Sequence, residues 1–121
     1  MKHNLLFVFF TGIFYNSIAQ NIVSDTTLAG EYNQKAKAML DKRQLDKLDS
    51  ILYYSEQAGL LYAKYRIRDG LLSSLCNQMQ VYARATDEEN TINFYDSIGN
   101  LSKKYLGKKN VYVANSCHYL G

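Results

Sequence analysis

The feature that most constrains this 121-residue chain is a helical pattern that recurs at an interval of 40 residues. A shift of 40 places Met39 on Met79, Gly59 on Gly99 and Tyr65 on Tyr105. Glycine in a helix interior costs about 1 kcal/mol relative to alanine, so two glycines in one register indicate closely approaching helices. Repetition at this interval predicts stacked units that share one continuous core.

Apolar residues follow helical spacing in every part of the repeat. The four stripes are Leu28, Tyr32, Ala36, Met39 and Leu40; Leu48, Ile51, Leu52, Ala58, Leu61, Tyr62 and Tyr65; Leu71, Leu72, Leu75, Met79 and Tyr82; and Thr91, Phe94, Tyr95, Ile98, Leu101 and Tyr105. A fifth segment begins at Asn110 and carries Val113, Ala114, Cys117 and Leu120. Strand-like alternation of useful length is missing, and the chain has no Pro.

These stripes predict an all-α chain of antiparallel helix-turn-helix repeats that stack as an α-solenoid over residues 28–121. The units are expected at 28–68 and 69–109, with an incomplete third unit at 110–121. Asp69 is the predicted N-cap of the third helix. Thr86 and Glu89 have the spacing of a capping box for the fourth.

The first 19 residues are predicted to be an export signal. A short basic start precedes a mostly apolar stretch, Leu5 to Ile18, which is shorter than the roughly 20 residues needed to span a bilayer. Ser17 and Ala19 are small residues at the positions that a signal peptidase reads. Cleavage would leave Gln20 as the N-terminus and residues 20–27 as a short leading segment. An uncleaved anchor or a buried helix is the alternative.

Composition and motifs argue against catalysis and against nucleic-acid binding. The net charge is +3 and the basic clusters, such as Arg66 with Arg68, are scattered. The mature chain would keep one histidine, His118, and its neighbour Cys117 points about 100° away on a helix, so the two cannot act as a nucleophile and its base. Metal-binding and phosphate-loop motifs are also missing. We therefore expect no enzymatic activity, no metal and no cofactor.

The two cysteines leave two alternatives open. If the chain is exported, Cys76 and Cys117 face an oxidising compartment and could form a disulfide. Both also fit apolar helix positions, where they would be small buried thiols. Three triplets, which begin at Asp25, Asp49 and Asp96, resemble an O-glycosylation acceptor motif of exported bacterial proteins.

Several segments resemble the tetratricopeptide repeat (TPR). Leu75–Tyr82 resembles the first helix of that repeat, Thr91–Ile98 the second, and Leu106–Ala114 the linker and restart. Leu120 and Gly121 match its Leu-Gly pair, and Asp49–Ala58 is a looser second-helix match. The resemblance covers roughly residues 28–121, and the period of 40–42 is similar to the long-period, kinesin-light-chain-like type. Met39 and Met79 stand where the family has a small Gly, and the frequent Pro is missing.

The resemblance implies a concave groove, lined by the first helices, that binds a peptide or another protein. Polar positions near the motif are the candidate groove residues: Asn33, Lys37, Asn77, Gln80, Arg84 and His118. Such a groove would suit a carboxylate or an acidic peptide. Asn77 matches the family Asn that hydrogen-bonds a peptide backbone. A solvated helix face is the alternative for each residue.

The function expected from these features is an exported interaction module of a Gram-negative bacterium, in the periplasm, at the cell surface or secreted. A membrane would be involved only through the export signal or an unseen downstream segment. The unfinished third unit predicts an N-terminal fragment of a longer protein. The alternative function is therefore a sensory or scaffold segment, and the resemblance implies a CHAT-type protease, a histidine kinase or a transcriptional regulator beyond Gly121.

Overall fold

Four α-helices make up the described chain. The structure, a computed structural model, describes the backbone of residues 2–106 and the side chains of residues 18–105. Helix α1 is Lys2–Asp41, α2 is Leu48–Lys64, α3 is Arg68–Arg84 and α4 is Glu88–Leu106, with a short 3-10 turn at Leu45–Lys47. No β-strand occurs between residues 2 and 106, so the predicted all-α class is confirmed. The incomplete third unit at 110–121 lies outside the described residues.

The helices pack in the order of a helical-repeat stack. Each helix packs against the next one along the chain, and α3 also packs against α1. The two first helices, α1 and α3, run parallel, because Asn33 bonds to Ser73 and, seven residues further along α1 and eleven along α3, Leu40 bonds to Arg84. This arrangement is that of an α-solenoid of two helix pairs, 48–64 and 88–106 being the second helices.

Helix α1 begins earlier than the apolar stripe predicted. Residues 20–27, expected as a short segment ahead of the repeats, continue the helix without a break. The connection from α1 to α2 is also longer than its counterpart, since residues 42–47 include the 3-10 turn, whereas only residues 85–87 join α3 to α4. The second unit therefore repeats the first with a tighter turn.

The core consists of two apolar clusters that share α3. One cluster joins α1, α2 and α3 and contains Ala36, Leu40, Ile51 and Val81. The other joins α3 and α4 and contains Leu72, Cys76, Met79 and Ile98. All predicted stripe residues are at least partly buried except Leu28, which is 38% exposed. The helical spacing thus predicted the buried faces correctly, because period 3.6 places these side chains on one side of each helix.

A left-handed residue that is not glycine follows each of the first three helices. Arg43, Arg66 and Thr86 have φ values of 52°, 56° and 57°. After α2, the Arg66 N–H donates to the Ala63 carbonyl at 3.1 Å and the Ile67 N–H to the Tyr62 carbonyl at 2.9 Å. The same pair of bonds closes α1 and α3. Each turn is therefore a Schellman motif, in which glycine is the usual left-handed residue.

These turns correct both predicted N-caps. Helix α3 begins at Arg68 after Ile67, so Asp69 lies inside its first turn and is not the cap. Thr86 is left-handed, whereas an N-cap needs an extended backbone, so Thr86 and Glu89 do not form a capping box. Asp87 takes this role, since its Oδ1 accepts the Asn90 N–H at 3.2 Å.

The paired glycines have different surroundings. A Cβ on Gly59 would lie 3.5 Å from the Ser74 Cβ, so α2 and α3 do approach closely there, as the sequence predicted. Among the described residues, nothing lies within 4 Å of the same position on Gly99. Gly70, in contrast, faces the Tyr62 ring directly, and a methyl group at Gly70 would overlap that ring.

Candidate functional site

Five of the six predicted groove residues lie along one seam between α1 and α3. Helix α1 contributes Asn33 and Lys37, and α3 contributes Ser73, Asn77, Gln80 and Arg84, a set called here the α1–α3 seam. On each helix these residues are three, four or seven positions apart, so they share one side of that helix. His118 lies outside the described residues. The predicted groove residues of α1 and α3 thus share one side of their helices, and their role as a groove stays a prediction.

Amide side chains bridge the middle of the α1–α3 seam. Asn77 donates from Nδ2 to Asn33 Oδ1 at 2.7 Å, and Asn33 donates from its own Nδ2 to Ser73 Oγ at 2.9 Å. Asn77 is only 5% exposed. The residue expected to bind a peptide backbone is thus occupied by the neighbouring first helix.

Arg84 closes the seam at the carboxyl end of α1. Its guanidinium donates to the Leu40 carbonyl oxygen, one of the last carbonyls of α1. Carbonyls at a helix end have no partner within the helix and favour a positive charge. Arg84 is half-buried there and serves as a cap for α1.

Lys37 and Gln80 are the seam residues outside the hydrogen bonds that join α1 and α3. Lys37 is exposed on α1 and Gln80 is half-buried on α3. Neither is needed for the amide bridge between Asn33 and Asn77. The polar groups of this pair are therefore the ones in the seam that the helix–helix hydrogen bonds leave uncommitted.

A second polar link joins α1 to the end of α2. The Tyr65 hydroxyl donates to Asp25 Oδ2, and the Lys64 Nζ lies 3.6 Å from the same oxygen. The hydrogen bond to Asp25, with some desolvation, raises the pKa of Tyr65 above its ordinary value. The pKa of Lys64 is also raised, chiefly by its interaction with the Tyr65 hydroxyl. This cluster links α1 to the end of α2, and its carboxylate already has Tyr65 and Lys64 as partners.

Two adjoining clefts lie on the other side of α3. One, of about 360 Å³, runs between α2 and α3 past Gly59, Leu60 and Leu75, and has Glu56 and Gln78 at its far end. The other, of about 400 Å³, is lined by Arg66, Ile67, Arg68 and Tyr105. Ala63 and Leu71 line both clefts, so they form one continuous depression, called here the α2–α3 trough.

The trough faces away from the α1–α3 seam. At 100° per residue, Leu71, Leu75 and Gln78 point about 145° away from Ser73, Asn77 and Arg84 around α3. The floor of the trough is aliphatic, and Leu60 on its wall is 65% exposed. Exposed leucine beside a concave apolar surface is typical of an interaction site.

The two ends of the trough carry opposite charge. Arg66 and Arg68 line one end, where the Arg68 guanidinium lies 4.8 Å from the Tyr105 ring centre. Glu56 lines the other end. In the sequence, Arg66 and Arg68 are scattered surface charges, and no pattern distinguishes Leu60. The spacing of Arg66 and Arg68 in the sequence does not predict their place at the end of the trough, because that place depends on the turn at Arg66.

The described residues hold no group of three or more His, Cys, Asp or Glu side chains that could bind a metal. Among the same residues, no helix is both long and apolar enough to cross a membrane. Cys76 is buried in the α3–α4 cluster, and Cys117 lies outside the described residues, so both alternatives for these cysteines stay predictions. Comparisons with protein-family models, with curated proteins and with solved structures found no match.

Proposed function

We propose that this chain is an interaction module of the tetratricopeptide-repeat kind, which binds a protein or peptide partner and is exported from the cell. The observation that carries the proposal is the side-by-side stacking of two similar helix pairs, with α1 and α3 parallel and joined by the Asn33–Asn77 bond. Such stacks present an extended face of first helices, and that face is the usual binding surface of helical repeats.

The accessible chemistry of the α1–α3 seam suits an acidic partner. Lys37 offers an exposed ammonium group on α1, and Gln80 offers a half-buried amide on the adjacent helix α3. Asn33 and Asn77 hold these two positions at a fixed separation, because their amide bridge ties the helices together. A backbone held in place in this way lowers the entropy cost of binding, because only the side chains must be ordered.

Site-specific photo-cross-linking tests the binding proposal. A photoreactive amino acid replaces Lys37 or Gln80 in the full chain, expressed in its native host, and the products are identified by mass spectrometry. Position 92 is the control, because Ile92 is 52% exposed on α4, away from the seam. We expect the same partner from positions 37 and 80 and not from 92. Identical products from all three positions, or none from 37 and 80, would overturn the proposal.

Export is tested separately by the mass of the mature protein. Cleavage after Ala19 predicts a chain that begins at Gln20 and is recovered outside the cytoplasm. A purified native protein that retains Met1–Ala19 would contradict this part of the proposal. The binding part would stand, because the seam residues all follow position 20.

A further inference from the structure

We propose that the α2–α3 trough is a second binding surface, which accepts an amphipathic helix of a partner protein. The inference goes beyond the proposed function, because the trough and the α1–α3 seam lie on opposite sides of α3. It rests on the shape, the apolar floor and the charged ends of the trough, and it needs nothing from the seam.

The length of the trough fits a short helix. Glu56 at one end and Arg66 at the other are ten residues apart along α2 and its turn, which corresponds to about 15 Å at 1.5 Å per residue. Three turns of a helix cover the same distance. A partner with aliphatic side chains at i, i+3, i+4 and i+7 would lay them on Leu60, Leu71 and Leu75.

The lining favours a helix over an extended peptide. An extended segment needs backbone hydrogen-bond partners along its length, and an unpaired buried peptide group is costly. The trough offers few hydrogen-bond partners for a peptide backbone, because Gln78 already donates to the Ser55 carbonyl and the floor residues are aliphatic. A helix satisfies its own backbone internally and presents only side chains.

The charged ends set the direction of the bound helix. The amino end of a helix carries partial positive charge and the carboxyl end partial negative charge. Glu56 therefore favours the amino end, with Lys or Arg in its first turn. Arg66 and Arg68 favour the carboxyl end, with Asp or Glu in its last turn. The partner helix would run parallel to α2, and Glu56 disfavours an anionic lipid in the same place.

The left-handed conformation of Arg66 provides a variant that removes charge without harming the fold. Its φ of 56° is unfavourable for residues with a Cβ atom and is readily adopted by glycine. Arg66→Gly therefore relieves backbone strain as it deletes the guanidinium. Arg43→Gly is the matched control. Arg43 has the same φ region and turn motif, but it follows α1 at the opposite end of α2.

The test is selection of 12-residue peptides from a displayed library on the full chain, followed by fluorescence anisotropy of the enriched peptide. We expect helical spacing of aliphatic residues, basic residues in the first turn and acidic residues in the last. Exchanging the charged residues between the peptide ends should weaken binding about tenfold. Arg66→Gly should reduce that difference, since Glu56 and Arg68 remain, whereas Arg43→Gly should leave it unchanged.

Leu60→Asp should weaken binding of the selected peptide at least about tenfold, because a charge then faces aliphatic side chains. Ile92→Asp, at an exposed position on α4, should leave it unchanged. Thermal unfolding of each variant at or above the temperature of the unsubstituted chain shows that the fold is intact. Failure to enrich peptides, or a consensus without helical spacing, would overturn the proposal.

Two further outcomes would assign the trough to another occupant and reject a partner helix. One is complete competition by dodecanoate, which would indicate an amphiphile. The other is a dimer of the full chain that Leu60→Asp dissociates in light scattering, which would indicate a second copy. A monomer in which dodecanoate does not compete supports the helix.

Discussion

Asn77 on α3 donates a hydrogen bond from Nδ2 to Oδ1 of Asn33 on α1, at 2.7 Å. The first helices of the two units are thereby joined through their amide side chains. Asn33 extends the bridge to Ser73 at 2.9 Å, so three polar side chains cross one helix interface. A partly buried polar bridge of this kind favours one register of the helices, because a shift by one residue would leave its members unpaired.

Removal of this bridge should destabilise the stack. Asn77→Ala leaves the Asn33 Oδ1 without its donor, and such a loss costs about 1–3 kcal/mol of unfolding free energy. Asn93→Ala is the control, since Asn93 is an exposed asparagine in α4 and its loss should change stability by less than about 0.5 kcal/mol. Urea denaturation followed by circular dichroism measures both. Equal effects would show that the bridge contributes nothing.

Alanine at two helical glycines should act in opposite directions. Gly70→Ala should lower the unfolding free energy, because the new methyl overlaps the Tyr62 ring. Gly99→Ala should raise it by about 0.5–1 kcal/mol, since the position is helical and no described atom lies within 4 Å. Thermal and urea unfolding report both changes. A destabilised Gly99→Ala would contradict the open surroundings of Gly99.

The correction of the α4 cap has its own test. Asp87→Ala should cost about 0.5–2 kcal/mol of stability, because the Asn90 N–H loses its acceptor. Glu89→Ala should have a much smaller effect, although the sequence pattern had assigned Glu89 to a capping box with Thr86. The difference in urea midpoint between the two variants decides the matter. A larger loss of stability in Glu89→Ala than in Asp87→Ala would support the capping box of Thr86 and Glu89 instead.

The Tyr65–Asp25 hydrogen bond predicts a pH-dependent contribution to stability. The pKa of Tyr65 is raised in the folded state above its ordinary value of 10.0. The contribution of this hydrogen bond to the free energy of unfolding is therefore fully present below pH 10. It is lost as the pH rises through the raised pKa of Tyr65 in the folded state. Asp25→Asn should lower the pKa of Tyr65 towards its ordinary value.

The Tyr65 titration is measured by NMR of ring-labelled tyrosine, with Tyr65→Phe to assign the signal. Asp49→Asn is the control, because Asp49 lies at the start of α2, far from Tyr65, and its loss should leave the titration unchanged. An unchanged Tyr65 titration in Asp25→Asn would refute the role given to this carboxylate.

Part of the candidate site was predictable. The i, i+3 and i+4 spacing that predicted the buried stripes also placed Asn33, Lys37, Asn77, Gln80 and Arg84 on one side of their helices. Their roles were not predictable. Asn77 could face solvent, a ligand or another helix with the same spacing, and only the parallel approach of α1 and α3 directs it onto Asn33.

The sequence by itself determined the all-α class, the 40-residue interval and the apolar face of each helix, because these follow from side-chain spacing along one element. The tertiary structure decided the turns and the surfaces. Left-handed Arg66 and Thr86 moved the starts of α3 and α4, since a Schellman turn depends on where the preceding helix ends. The trough from Glu56 to Arg66 depends on the packing of α2 against α3 at Gly59. Such packing arises from contacts between residues that are distant in the chain, so the spacing along one helix does not predict it.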